Sequence, residues 1–270
     1  GGPELSPELA RIANDDMADY AWNDTAAAAD LVEEDDLGGA LRLLRRASMC
    51  MRFITAQLDM LEPKNRRILE AASAVGVEFD AQCVAAALET PVEEADAILS
   101  ALARTHGLLQ VTTDREWPDG SAGGRYEFRH ALYRQTLYAH LPTAIRRETH
   151  QRIAERLDAG FGERGAEIAA ELAHHFERGG DRPRALSYLL LGAERVLERG
   201  GVREASHLLD TAEKLLARLP ASVDRDRHEL ALMHLRAVVL SGVGGYAAEG
   251  LEAVLERCRT LAAGLNDDVR

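Results

Sequence analysis

The sequence predicts a mainly α protein in two parts, a winged helix-turn-helix with a small β-hairpin wing followed by an array of α-helical repeats. Three observations carry that expectation. The apolar residues are dominated by Ala and Leu while aromatics are only 5%, which suits close-packed helices better than sheets. In RYEFRHALYRQTLY, Arg125 to Tyr138, an alternating strand marked by Tyr126 and Phe128 passes at His130 into a helix carrying Leu132, Tyr133, Leu137 and Leu141. Period two becomes period 3.6 at that point. Ahead of it lie three short amphipathic segments, and behind it helical patterning continues to the end.

The 270 residues are 46% hydrophobic, enough for a sizeable core. The net charge of -13 is concentrated, because residues 1–40 hold eleven acids against the single base Arg11. The other 230 residues carry 34 acids and 31 bases. Residues 1–40 therefore read as a solvated acidic N-terminal arm on a body that is close to neutral, with no face built for nucleic acid. Cys50, Cys83 and Cys258 form no CxxC pair, which fits reduced thiols and a cytoplasmic location. No apolar run approaches the ~20 residues that span a bilayer, and GGPELSPEL has neither a basic nor an apolar leader region. Neither membrane insertion nor export is expected.

Residues 41–140 read as a leading helix and the winged helix-turn-helix. A helix from about Ala40 to Leu58 is expected from Leu41, Leu44, Met51, Ile54 and Leu58. Pro63 suits the first turn of the next helix, which runs to Val75 with Gly76 as its C-cap. A short helix over about Ala81–Leu88 follows. The third starts at Thr90-Pro91-Val92-Glu93, a capping box with proline at the first position, buries Ala95, Ile98 and Leu102, and stops at Gly107. GLLQVTT and RYEFRH then form the two strands of the wing, joined by a long flexible tip, DREWPDGSAGG. At that tip Trp117 is either an interface anchor or packs back on the wing.

Residues 141–270 read as a TPR-like array, with helices at about 142–160, 165–178, 182–198, 202–218, 227–241 and 247–264. Ala173 and Ala185 are twelve apart, as are Ala193 and Ala205. That is the offset at which the paired helices of a tetratricopeptide repeat touch.

Catalytic chemistry is hard to place in this chain. It contains two lysines, Lys64 before Asn65 and Lys214 before Leu215, so the GK[ST] core of a phosphate-cradling P-loop occurs nowhere in the sequence. GxSxG and HExxH are missing too. His174 and His175 are adjacent and point about 100° apart on a helix, so one faces the helix pair and the other solvent, and no metal site is expected. A winged helix can read duplex DNA with its third helix, and Arg104, Arg115 and Arg125 are the residues that would serve it. Against that, the leading turn of the third helix carries Glu93, Glu94 and Asp96, which would repel phosphate. His130 precedes Tyr133, Leu137 and Leu141 by three, seven and eleven residues, which places it on the apolar face of its helix. It reads as a core histidine or, alternatively, as a phosphate sensor at a helix N-terminus.

From about Ser48 onward, four stretches resemble the C-terminal part of the STAND class of signal-transduction ATPases, in particular bacterial members with a winged helix and tetratricopeptide-like repeats. They are ITAQLDMLEPKNRRILEAASAVGVEFD, REWPDGSAGGRYEFRHALYRQTLYAHLP, RRETHQRIAERL and AAELAHHFERGGDRPRALSYL. The resemblance implies that FRHAL is the MHD-type motif. His130 would then be the nucleotide-phosphate sensor and Arg129 its neighbour, although Ala131 stands where many relatives have aspartate. It implies a non-catalytic regulatory region that lacks the ATPase core, so that ADP or ATP would be met only through that absent core. The repeats would take a protein partner or a small inducer. The alternative is a DNA-binding transcriptional regulator working through the winged helix.

Overall fold

The structure, a computed structural model, describes residues 52, 54–105, 107–113, 115–244 and 249–267. Ten helices and one small three-stranded antiparallel sheet make it mainly α. Most of the expected leading helix and all of the acidic arm lie outside the described residues. Its last turns, 54–59, are helical and bury Ile54 and Leu58. The chain divides into two compact units at Arg156.

In the first unit α1 (Pro63–Val75) begins with proline and buries Ile68, Leu69, Ala72 and Val75. β1 (Glu78–Asp80) leads into α2 (Ala81–Leu88), and α3 (Val92–Thr105) follows after a tight turn. β2 (Leu109–Val111) and β3 (Arg125–Phe128) complete the sheet, in the order β1-β3-β2. α4 (Ala131–His140) and α5 (Thr143–Phe161) come next. α1 packs on α2, α3 and α4.

The sequence predicts two strands where the structure has three. Glu78-Phe79-Asp80 is too short to show a period, and it pairs with β3 through Phe79↔Tyr126. On one face of the sheet Phe79, Tyr126, Phe128 and Leu109 are buried, with the Phe79 ring 6.0 Å from that of Tyr126 and 5.2 Å from that of Phe128. Glu78, Asp80, Glu127 and Arg125 alternate onto the other face, as period two requires.

The capping box expected at Thr90 does not form. Glu89 takes a left-handed φ of 54°, and the Thr90 N–H turns back to the Ala85 carbonyl at 3.0 Å, closing α2 as a Schellman-type cap. The Thr90 hydroxyl is left buried with no hydrogen-bond partner. α3 buries Leu99 where Ile98 was expected, because its register follows a start at Val92, and it ends at Thr105, before Gly107.

In the second unit a 3₁₀ segment, Gly162–Ile168, precedes α6 (Ala169–Gly179), α7 (Arg182–Glu198) and α8 (Val202–Leu216). The long helices α9 (Val223–Gly244) and α10 (Leu251–Asp267) follow. Each of α6 to α10 packs on the next, and α7 also meets α9. Helix starts and stops follow local signals. Asp181 caps α7 through the Arg184 N–H at 3.2 Å, and Gly180 closes α6 at φ 92°. Ala173, Ala185, Ala193 and Ala205 are all buried, which places the expected small residues between helices.

Close approach favours glycine at position 124 in the first unit. A Cβ there would come within 2.7 Å of both the Asp96 Oδ1 and the Tyr126 hydroxyl. Gly124→Ala should lower stability by about 2 kcal/mol, read as a reduced midpoint in urea unfolding. At the helix contacts of the second unit, Ala193→Leu should cost about 1–3 kcal/mol by overpacking in the same measurement.

Candidate functional site

The joint between β3 and α4 holds both residues assigned to the phosphate-sensor reading. Phe128 donates its N–H to Val77 O at 3.0 Å and Arg129 donates its N–H to Leu108 O at 3.1 Å, so the strand is anchored on both sides up to its last residue. His130 then occupies the N-cap of α4 in extended backbone, φ -135° and ψ 137°. It is half-buried and its ring is tilted against Tyr133 at 6.0 Å. The expectation that His130 lies on the apolar face of the helix is corrected here, since the residue precedes the helix. The inward face belongs to Leu132, Tyr133 and Leu137. Arg134 ties α4 to α1 by donating from Nε to Ser73 O at 3.0 Å.

The imidazole makes no capping bond to the first turn, and that turn contains no acidic residue. A helix start in this state favours an anion.

The three arginines considered for DNA sit in different surroundings. Arg104, at the end of α3, donates to Ser100 Oγ at 2.6 Å. Arg125 pairs with Glu78 at 2.7 Å and Arg115 with the buried Asp80 at 3.5 Å. Arg115 and Arg125 thus share the polar sheet face with Glu78, Asp80 and Glu127, whose carboxylates outnumber them. At the start of α3, Asp96 is turned onto β3, accepting from the Gly124 N–H at 3.0 Å and the Tyr126 hydroxyl at 2.7 Å. Burial first, and the Asp96 carboxylate second, push the Tyr126 hydroxyl well above its ordinary value.

The loop between β2 and β3, expected to be a flexible tip, is packed. Trp117 is 3% exposed and lies under the Arg156 guanidinium, 4.3 Å from its ring centroid. Arg156 also donates to Asp119 Oδ2 at 2.9 Å and to Ser121 Oγ at 2.6 Å. One arginine on α5 therefore holds three loop residues, and Trp117 is buried beneath a residue of α5. Sequence reasoning missed Arg156, whose only signal is a position two turns beyond Thr149 on an amphipathic helix.

In the second unit His175 is buried and His174 exposed, with their rings nearly perpendicular. No group of metal-ligating side chains occurs among the described residues. Tyr188 donates a short hydrogen bond to Asp158 and stacks on Phe176 at 5.7 Å. Burial, then Asp158, pushes its hydroxyl up to about 12. Among the described residues no helix is long and apolar enough to cross a membrane.

Comparison with protein-family models, with curated proteins and with solved structures finds no match for this chain.

The Asp119 carboxyl is held down to about 2, chiefly by the Ser121 hydroxyl and further by Arg156. A value below that of the unfolded chain, about 3.9, means that the clasp contributes stability above about pH 4 and loses it as pH falls through about 2. Side-chain carboxyl NMR should show Asp119 titrating near that low value. In Arg156→Met the midpoint should rise and the Trp117 fluorescence should shift to the red.

Proposed function

We propose that this chain is a non-catalytic regulatory and protein-interaction region of a STAND-type signalling ATPase. In this reading the first unit is a winged helix, and the second is a TPR-like array that takes a protein partner or a small inducer. The observation that carries it is the element order of the first unit. Helix, strand, helix, tight turn, helix and two further strands, in a sheet ordered β1-β3-β2, is the arrangement expected of a winged helix-turn-helix. The short α2–α3 turn at Glu89 and the buried aromatic face of the sheet support it. For the array, support comes from consecutive helix contacts and from small residues buried at a spacing of twelve.

His130, with Arg129 beside it, is the part that would report a nucleotide phosphate. It sits at a helix start free of acidic residues, half-buried, two residues beyond a strand fixed by pairs on both sides. Signalling then requires that ligands at the repeats and at this joint prefer different states of the chain. The pairing of Arg115 and Arg125 with sheet carboxylates argues against duplex DNA as the partner.

The test is calorimetric titration of the chain with magnesium ADP and magnesium ATP, alongside a pull-down. Without a P-loop lysine the chain alone should give no binding heat. A retained partner should be lost when the exposed array residues Leu191 and Leu255 are changed to Asp. Nucleotide binding that vanishes in His130→Ala would instead make the chain a nucleotide sensor in its own right, and the reading as an arm of an ATPase would fall.

A further inference from the structure

Two adjoining cavities open on the first unit, between α1, the end of α2 and the start of α5. The smaller, about 140 Å³, is lined by Lys64, Arg67, Ile68, Leu88, Thr90 and Glu94. The larger, about 350 Å³, shares Arg67 and Leu88 and adds, among others, Ala71, Ala87, Leu141, Ile145, Thr149 and Arg152. Its size falls within the range of small-molecule pockets. The two share walls, so they form one cleft.

The charges in this cleft can be counted. Lys64 is paired with Glu94 at 2.6 Å. Arg152 is paired with Glu89 and Glu148, both at 2.8 Å, and also donates to Ala87 O at 3.1 Å. Glu70 is held by Arg66 at 3.0 Å. That leaves Arg67, which lines both cavities and meets no carboxylate among the described residues. One guanidinium without a carboxylate partner therefore stands where the two cavities adjoin, among Ile68, Ala71, Ala87, Leu88, Leu141 and Ile145.

Two threonines line the cleft. Thr90 Oγ1 is buried with no hydrogen-bond partner and lines the smaller cavity. Thr149 is 6% exposed and lines the larger. A buried hydroxyl without a partner costs free energy that a ligand oxygen would recover.

We propose that this cleft binds a small monocarboxylate with an apolar body. The carboxylate is taken by Arg67 in the planar fork geometry that suits it, Thr90 donates to it, and the apolar body lies along Leu88, Leu141 and Ile145. The lining charges balance, Lys64, Arg67 and Arg152 against Glu70, Glu94 and Glu148, so a ligand is held by local pairing with Arg67, for which one carboxylate suffices. A phosphate dianion would bring a second negative charge towards Glu70, Glu94 and Glu148 with nothing to balance it. The site lies wholly within the first unit and does not rest on the signalling role proposed above.

Titration of the full chain with octanoate, octanol and octyl phosphate tests it, by calorimetry and by amide NMR shifts. Octanoate should bind and shift the amides of Thr90 and Thr149, and octanol should bind about tenfold more weakly, the loss of one charge-assisted pair. Arg67 is exposed, so Arg67→Gln should leave the circular dichroism and the unfolding midpoint unchanged and weaken octanoate about tenfold. Ile145→Asp, also at an exposed position, should weaken it separately. The proposal is overturned if octanoate gives no heat and no shifts, if Arg67→Gln binds it as well as the parent chain, or if octanol or octyl phosphate binds at least as tightly.

Discussion

The first unit depends on β3 being hydrogen-bonded along both edges. Four residues, Arg125 to Phe128, carry pairs to β1 and to β2, and such a strand has no freedom to slip, because a shift of one residue would turn Tyr126 and Phe128 out of the core. Everything attached to the strand inherits that fixity. At its N-terminal end Gly124 and the Tyr126 hydroxyl are bound to Asp96 and so locate α3. At its C-terminal end the chain enters α4 with His130 at the cap, and Arg134 carries the connection on to α1. Helices α1, α3 and α4 and the joint are therefore tied to the same three-stranded frame.

The second unit is held in another way. No single contact there fixes the rest. Small residues let each helix approach its neighbour, and polar links such as Arg236 with Asp210 at 2.8 Å and Arg257 with Glu229 at 2.6 Å set the register between consecutive helices. Glu229 is nearly buried and is shared between Arg225 and Arg257, which keeps a carboxylate inside the α9–α10 contact without leaving it uncompensated. Stability of this kind is built up neighbour by neighbour.

The legibility of the sequence follows the same division. Long amphipathic helices were readable because many residues vote for one period, so α7 and α8 start at the expected 182 and 202 and most bounds agree within a few residues. β1 was not readable, since three residues cannot show alternation. The capping box at Thr90 failed because two local motifs compete for one residue. The N–H of Thr90 closes α2, and its hydroxyl makes no hydrogen bond to the first turn of α3. The joint at His130 could be placed from the change of period, but a one-residue difference in where the helix begins moved the imidazole from the apolar face to the cap. The cleft around Arg67 was invisible. Arg67, Thr90 and Thr149 come from three separate elements, and their relation exists only after packing.

Two residues at or near the ends of α2 are among those with buried side-chain polar atoms that have no hydrogen-bond partner. At its start Gln82 is 1% exposed, neither amide atom has a hydrogen-bond partner, and Gly123 lies so close that a Cβ would meet the amide at 3.0 Å. Beyond its other end is the buried hydroxyl of Thr90. Each such group costs about 1–3 kcal/mol relative to an apolar side chain of the same shape. The helix between them is short, Ala-rich and almost wholly buried, so nothing in its own sequence calls for polar residues at those positions. Local rules tend to be broken where a structure serves something besides stability. At one end of α2 the broken rule faces the loop clasped by Arg156, and at the other it faces the cleft lined by Arg67.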